Sequence, residues 1–313
     1  MDIDETLLQQ KHDLGFGMTL RKAELEELAS DFVKSSFRSW SERRGASISI
    51  NQRTLRTKNS SGGTSIQYME NPENWRHAVI DCTDPNVFFW RVNCAFAISD
   101  ADLRMGFISF ENGGFSSPYI EFPMLNVRSP LGESIVDYKP PSQADLPEIK
   151  QNISHVLSNM IAGFPSEILE VMHMFMTLDN LPDSSNLKLL GYFAVIEGLL
   201  SHAPEPSDRM DSIQKQLVRN IQLLNNRLKK DNREIKFSDF GNSNLKTVLG
   251  KLYALRSAIA HGGNIESSLN DIRKIRNDTH GTDILWVHDW LRAMTKKLLL
   301  AAIIEPELVS DLK

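Results

Sequence analysis

The sequence predicts an α+β N-terminal domain followed by an all-α helical bundle, and three observations carry that prediction. From about residue 46 to 128, short runs rich in β-branched and aromatic residues alternate with turn signals. Beyond about residue 145, nearly every segment repeats its apolar residues at the spacing of one helix face. Between the two lies RSPLGESIVDYKPPSQADLP, which holds four of the thirteen prolines and reads as a linker or long surface loop. A chain of 313 residues can fill two cores. The expected division is an α+β domain over 1–150, a helical connector over 151–182 and a bundle over 183–313.

Taken in order, a frayed start precedes TLRKAELEELASDFVKSSFRSWSERRG, which reads as a helix. Thr19 caps it, Leu25, Leu28, Phe32 and Trp40 form its stripe, and Gly45 ends it. SISINQRTL, SIQYME, HAVIDC, NVFFWRVNCAFAIS, MGFISF and YIEFPMLNV then read as mostly antiparallel strands, with NSSGGT as a hairpin connection. A first helix pair follows in DLPEIKQNISHVLSNMIAG and PSEILEVMHMFMTLD, with Pro165 suited to a helix start. The bundle continues with NLKLLGYFAVIEGLLSH, DSIQKQLVRNIQLLNNRLKK, NSNLKTVLGKLYALRSAIAH, a shorter SSLNDIRKIRN and DILWVHDWLRAMTKKLLLAAII.

Composition narrows the function classes. No run of about 18 uncharged apolar residues exists, and the acidic first segment lacks the order of a signal peptide, so a cytoplasmic protein without a membrane partner is expected. Cys82 and Cys94 make no disulfide framework and match no zinc spacing. No GxGxxG or GxxxxGK[ST] loop occurs, and no cofactor or metal is expected. The net charge of −5 is uneven: residues 1–208 carry 17 basic and 28 acidic side chains, residues 209–313 carry 18 and 12. A basic last third is a mild pointer to an anionic partner there.

The chemistry concentrates in RSAIAHGG, from Arg256 to Gly263. At about 100° per residue, Arg256 falls some 20° from Leu245, inside the apolar stripe of Val248, Leu249, Leu252, Leu255 and Ile259. A guanidinium in that position needs a carboxylate, a neighbouring subunit or an anionic ligand. Glu197 supplies the carboxylate, in the middle of the face formed by Leu187, Leu190, Phe193, Ala194 and Leu200. With Tyr192, Ile196 and Leu199 opposite, burial on both sides is expected. On a continuous helix His261 would point about 140° from Arg256. Gly262 and Gly263 end the helix and leave room to redirect the imidazole. The same residues also fit a plainer reading, an ion pair that fixes packing and a histidine favoured by a helix C-terminus.

Arginine, four residues, histidine and glycine at the end of an amphipathic helix resembles the signature of the HEPN superfamily. The preceding YFAVIEGLLSH looks like its ApeA-like branch, over about residues 183–313. That resemblance implies a compact helical bundle, and in many members a metal-independent endoribonuclease of defence or toxin systems. It further implies Arg256 binding phosphate, His261 as acid/base, Glu197 orienting Arg256, RNA as substrate and a homodimer whose two motifs share a cleft. Ser257 and Tyr253 are candidate helpers. Catalytic members usually carry Asn, Asp or His where this chain has Ser257. A non-catalytic module binding nucleotide, RNA or protein is the alternative, and the N-terminal domain is free to take a ligand or protein partner.

Other candidates read as structural. Arg273 and His280, with six residues between them, fit only a looser form of that pattern, within a polar loop or short helix end. His280, Asp283, His288 and Asp289 read as caps and solvated faces, and Met160, Met172, Met174 and Met176 with His155 and His173 as core filling.

Overall fold

The computed structural model describes residues 5–22, 54–58, 64–68, 78–84, 89–101, 141–178, 181, 185–203, 212–276 and 283–312. The chain divides into two compact units, residues 1–88 with 101–150, and residues 89–100 with 151–313.

The first unit contains two described sheets. Strands β1 (His12–Gly15), β2 (Met18–Lys22) and β5 (Ala78–Cys82) form a three-stranded antiparallel sheet in the order β1-β2-β5. Leu14, Met18 and Leu20 are buried. Gly15, Phe16 and Gly17 all take positive φ (85°, 51° and 68°), which lets the chain reverse between β1 and β2. Arg21 on β2 holds Asp81 on β5 through two bonds, at 2.6 and 2.9 Å. The region expected to be frayed is therefore a hairpin. Thr19 is a strand residue paired with Asp81, not a helix cap. Alternating burial of Met18 and Leu20 against a waiting partner strand outweighs the helical propensity of the residues that follow. The rest of that expected helix, from residue 23 to Gly45, lies outside the described residues, as do MGFISF and YIEFPMLNV. Strands β3 (Thr54–Lys58) and β4 (Thr64–Tyr68) pair antiparallel, with Lys58 opposite Thr64, so NSSGGT does join a hairpin.

In the second unit every regular element among the described residues is a helix. NVFFWRVNCAFAIS, expected as a strand, is helix α1 (Phe89–Ile98). It packs on helices of this unit, and Val92, Cys94, Ala95, Phe96 and Ile98 are all buried. A short apolar run has no clear period, and here burial among helices decides for 3.6 over 2. Helix α2 (Leu146–Ala162) contains the division between the units, and α3 (Ser166–Leu178) begins just after Pro165. Then come α4 (Asn186–Leu200), α5 (Ile213–Leu228), α6 (Leu245–His261), α7 (Ile265–Arg276), α8 (Ile284–Ile304) and the short α9 (Pro306–Asp311).

Helix α4 is the hub, packing on α3, α5, α6 and α8, while α8 also meets α1, α5 and α9. Tyr192, Phe193, Val195, Ile196, Leu199 and Leu200 of α4 are 0–1% exposed. Burial is not complete around it, because Leu187 is 65% exposed and Ala194 is exposed too. Residues 151–182, expected as a connector, fall in the same unit as the bundle. A polar thread crosses this core. Asn152 donates to Ser99 Oγ (2.9 Å), Lys296 to the Ser99 carbonyl (2.6 Å) and Arg233 to Asn152 Oδ1 (2.9 Å). Each partner satisfies a group whose burial alone would be costly.

Both cysteines are free, Cys94 buried and Cys82 half-buried, and burial pushes the Cys94 thiol well above its ordinary range. Met172 fills the core as expected, but Met174 is 39% exposed and His173 is exposed. Asp283 caps α8 by accepting from Trp286 N (2.9 Å), whereas His288, expected on a wet face, is buried with its ring edge toward Tyr192. Arg273 sits in the last turn of α7; His280 lies outside the described residues.

Candidate functional site

Helix α6 is built to present its last turns. The Asn244 side chain accepts from Thr247 N (2.9 Å), satisfying one of the amides that a helix start leaves open. Val248, Leu249, Leu252 and Leu255 are 0–1% exposed and fix which side faces the bundle. At the other end Gly262 takes φ 69°, and the Gly262 and Gly263 amides both close on the Ala258 carbonyl. A left-handed residue costs glycine little, so the helix stops sharply after His261.

Glu197, Tyr253 and Arg256 are brought together. Glu197 stands one turn before the end of α4, and Tyr253 and Arg256, three residues apart, reach it from α6. The Tyr253 hydroxyl donates to Glu197 Oε1 at 2.7 Å. Arg256 Nη2 lies 3.6 Å from Glu197 Oε2, an ion pair longer than a hydrogen bond. The Arg256 side chain is 35% exposed and that of Glu197 is 19% exposed. Arg256 Nε is shut off from solvent and has no hydrogen-bond partner among the described residues. The guanidinium therefore keeps its donor capacity for something else.

Tyr253 is a fixed donor. Burial, and then the bond to the negative Glu197, push its phenol far above the ordinary tyrosine value, with Arg256 pulling weakly the other way. Phe193, one turn before Glu197 on α4, meets the Tyr253 ring edge-on at 5.2 Å and holds it. Phe193 is part of the site's support, and reading it as a plain core residue misses that role. Its sequence signal is its place four residues before Glu197, on one face of α4.

Ser257 and His261 stand apart from this trio. Both are exposed, and neither side chain has a hydrogen bond or ion pair among the described residues. The helix stays regular through His261, so its imidazole is not redirected before the chain turns. Counted around α6, Arg256, Tyr253, Ser257 and His261 span about 140° in that order, with Tyr253, Ser257 and His261 one turn apart along the axis. The arrangement offers a cation poised at a shared carboxylate and, about 7–8 Å along the helix, an accessible imidazole at its open end. A guanidinium can bind phosphate and an imidazole can move a proton, and here the two face about 140° apart around the helix.

Among the described residues no group of three or more His, Cys, Asp or Glu side chains is placed to hold a metal ion, and no helix is long and apolar enough to cross a membrane. No protein-family model matches the chain, and no curated protein or solved structure matches it.

Proposed function

We propose that the chain is a metal-independent endoribonuclease of HEPN type, acting in defence or as a toxin, and that Arg256 and His261 carry its chemistry. The observation that supports this most is the state of Arg256, half-exposed and drawn to a carboxylate that Tyr253 already shares, with donors left over. In this reading the guanidinium binds the phosphate oxygens and stabilises charge that builds up on them. RNA brings its own nucleophile: the 2′-hydroxyl loses its proton, attacks the adjacent phosphorus and expels the 5′-oxygen. His261 takes the 2′-hydroxyl proton or gives one to the departing 5′-oxygen, and water exchanges the other. The products are a 2′,3′-cyclic phosphate and a 5′-hydroxyl. Glu197 orients Arg256 at rest and yields it to the phosphate without touching substrate itself, and Ser257 is a helper within one turn of His261. Two chains meeting through α6 would place two such motifs on one RNA strand.

The exposure of His261, with nothing among the described residues to orient its ring, favours a second reading in which the bundle only binds RNA, a nucleotide or a protein. A mixed RNA pool incubated in EDTA separates the two. Cleavage by the wild type, abolished in Arg256→Ala and His261→Ala that still fold, is the expected result. Intact RNA with every protein folded and RNA-bound favours the binding module.

A further inference from the structure

We infer that Tyr253 tunes how tightly Arg256 binds a phosphodiester, by keeping one oxygen of Glu197 occupied so that the carboxylate cannot capture the guanidinium. This rests on the reading of Arg256 as a phosphate ligand and adds the device that keeps it available.

The geometry is specific. A carboxylate free to face a guanidinium takes it side-on, through two parallel bonds of about 2.7–2.9 Å. Here one oxygen accepts from Tyr253 at 2.7 Å and the other stops 3.6 Å from Nη2. Tyr253 cannot give way by ionising, since burial and Glu197 hold its proton in place well beyond neutral pH. It cannot swing aside easily either, because Phe193 packs against its ring. Arg256 is thus attracted by charge yet saturated by no fork, and its Nε is buried without a partner among the described residues. That unmet donor favours exchange of the long ion pair for a bidentate phosphate, reached by rotation about the arginine's own side-chain bonds. Removing the phenol oxygen would free Glu197 to turn and take Arg256 side-on, and the ligand would then compete with a full salt bridge.

The test is the affinity of the full chain for a labelled 2′-O-methyl oligoribonucleotide, which lacks the nucleophile and so reports binding alone. Tyr253→Phe keeps the ring on Phe193 and is expected to bind about tenfold more weakly, the size of one charge-assisted hydrogen bond. Glu197→Gln is expected to bind at least as tightly as the wild type. The double variant is expected to bind like Glu197→Gln, because no carboxylate remains to capture the arginine. Wild-type affinity in Tyr253→Phe, or a double variant as weak as Tyr253→Phe, overturns the inference. If Tyr253→Phe does not fold, Glu197→Gln decides alone: a fall to the level of Arg256→Ala overturns it. Failure of the underlying reading looks different. There Arg256→Ala binds as well as the wild type, or the wild type does not bind, and the inference falls with it.

Discussion

At the scale of single residues, the trio of Glu197, Tyr253 and Arg256 is a small charge balance with a measurable alkaline signature. The Tyr253 phenol titrates above its ordinary value, first because it is buried and next because it donates to Glu197. The folded state therefore keeps a proton that the unfolded chain releases near pH 10. This contribution to stability is complete below about pH 10 and is lost as the pH climbs toward the folded value. Denaturant midpoints followed from about pH 9 to 11 should fall more steeply for the wild type than for Tyr253→Phe. Parallel curves would contradict both the burial of the phenol and its bond to Glu197. The Glu197–Arg256 pair was legible in the sequence, since two opposite charges on two apolar faces imply each other. The sharing with Tyr253 was not, because an ion pair at 3.6 Å and one at 2.8 Å have the same sequence.

At the scale of elements, α6 owes its limits to two local features. Asn244→Ala removes the side-chain acceptor for Thr247 N and should cost about 1 kcal/mol in equilibrium unfolding. Gly262→Ala puts a Cβ on a residue at φ 69° and should cost about 1–2 kcal/mol. A neutral result for both would show that tertiary packing alone sets the ends of this helix. Helices with an apolar stripe, such as α5, α6 and α8, were readable to within three residues at each end. Two elements were not. Helix α1 is a short, largely apolar run interrupted only by Arg91 and Asn93 and carries no clear period to read, and the β1–β2 hairpin hides in a short polar-looking start. The choice in each depends on partners distant in sequence, the bundle helices for α1 and β5 for the hairpin.

At the scale of the whole molecule, helices α4 to α8 are only part of one helical unit. Residues 89–100 and 151–178 belong to the same unit as α4 to α8, and α1 and α3 pack directly on α8. A fragment beginning at Asp183 leaves out Val92, Phe96, Ile153, Val156, Met172 and Phe175, each at most 3% exposed. It exposes the surfaces that these residues cover and severs Lys296 from Ser99. Its thermal unfolding should be broad, and a cooperative transition like that of the full chain would contradict this account. The units divide between residues 150 and 151, and residues 151–178 fall in the same unit as α4 to α8. The helices of 151–178 carry apolar faces as complete as those beyond, and such faces must be buried against something.

The central claim is that Arg256 and His261 cleave RNA through its own 2′-hydroxyl. Mass analysis of the ends formed from one defined oligoribonucleotide in EDTA tests it most directly. The account predicts 2′,3′-cyclic phosphate and 5′-hydroxyl ends from the wild type, and intact substrate with folded Arg256→Ala or His261→Ala. Ends with a 3′-hydroxyl and 5′-phosphate, or the same products from either variant, would contradict it.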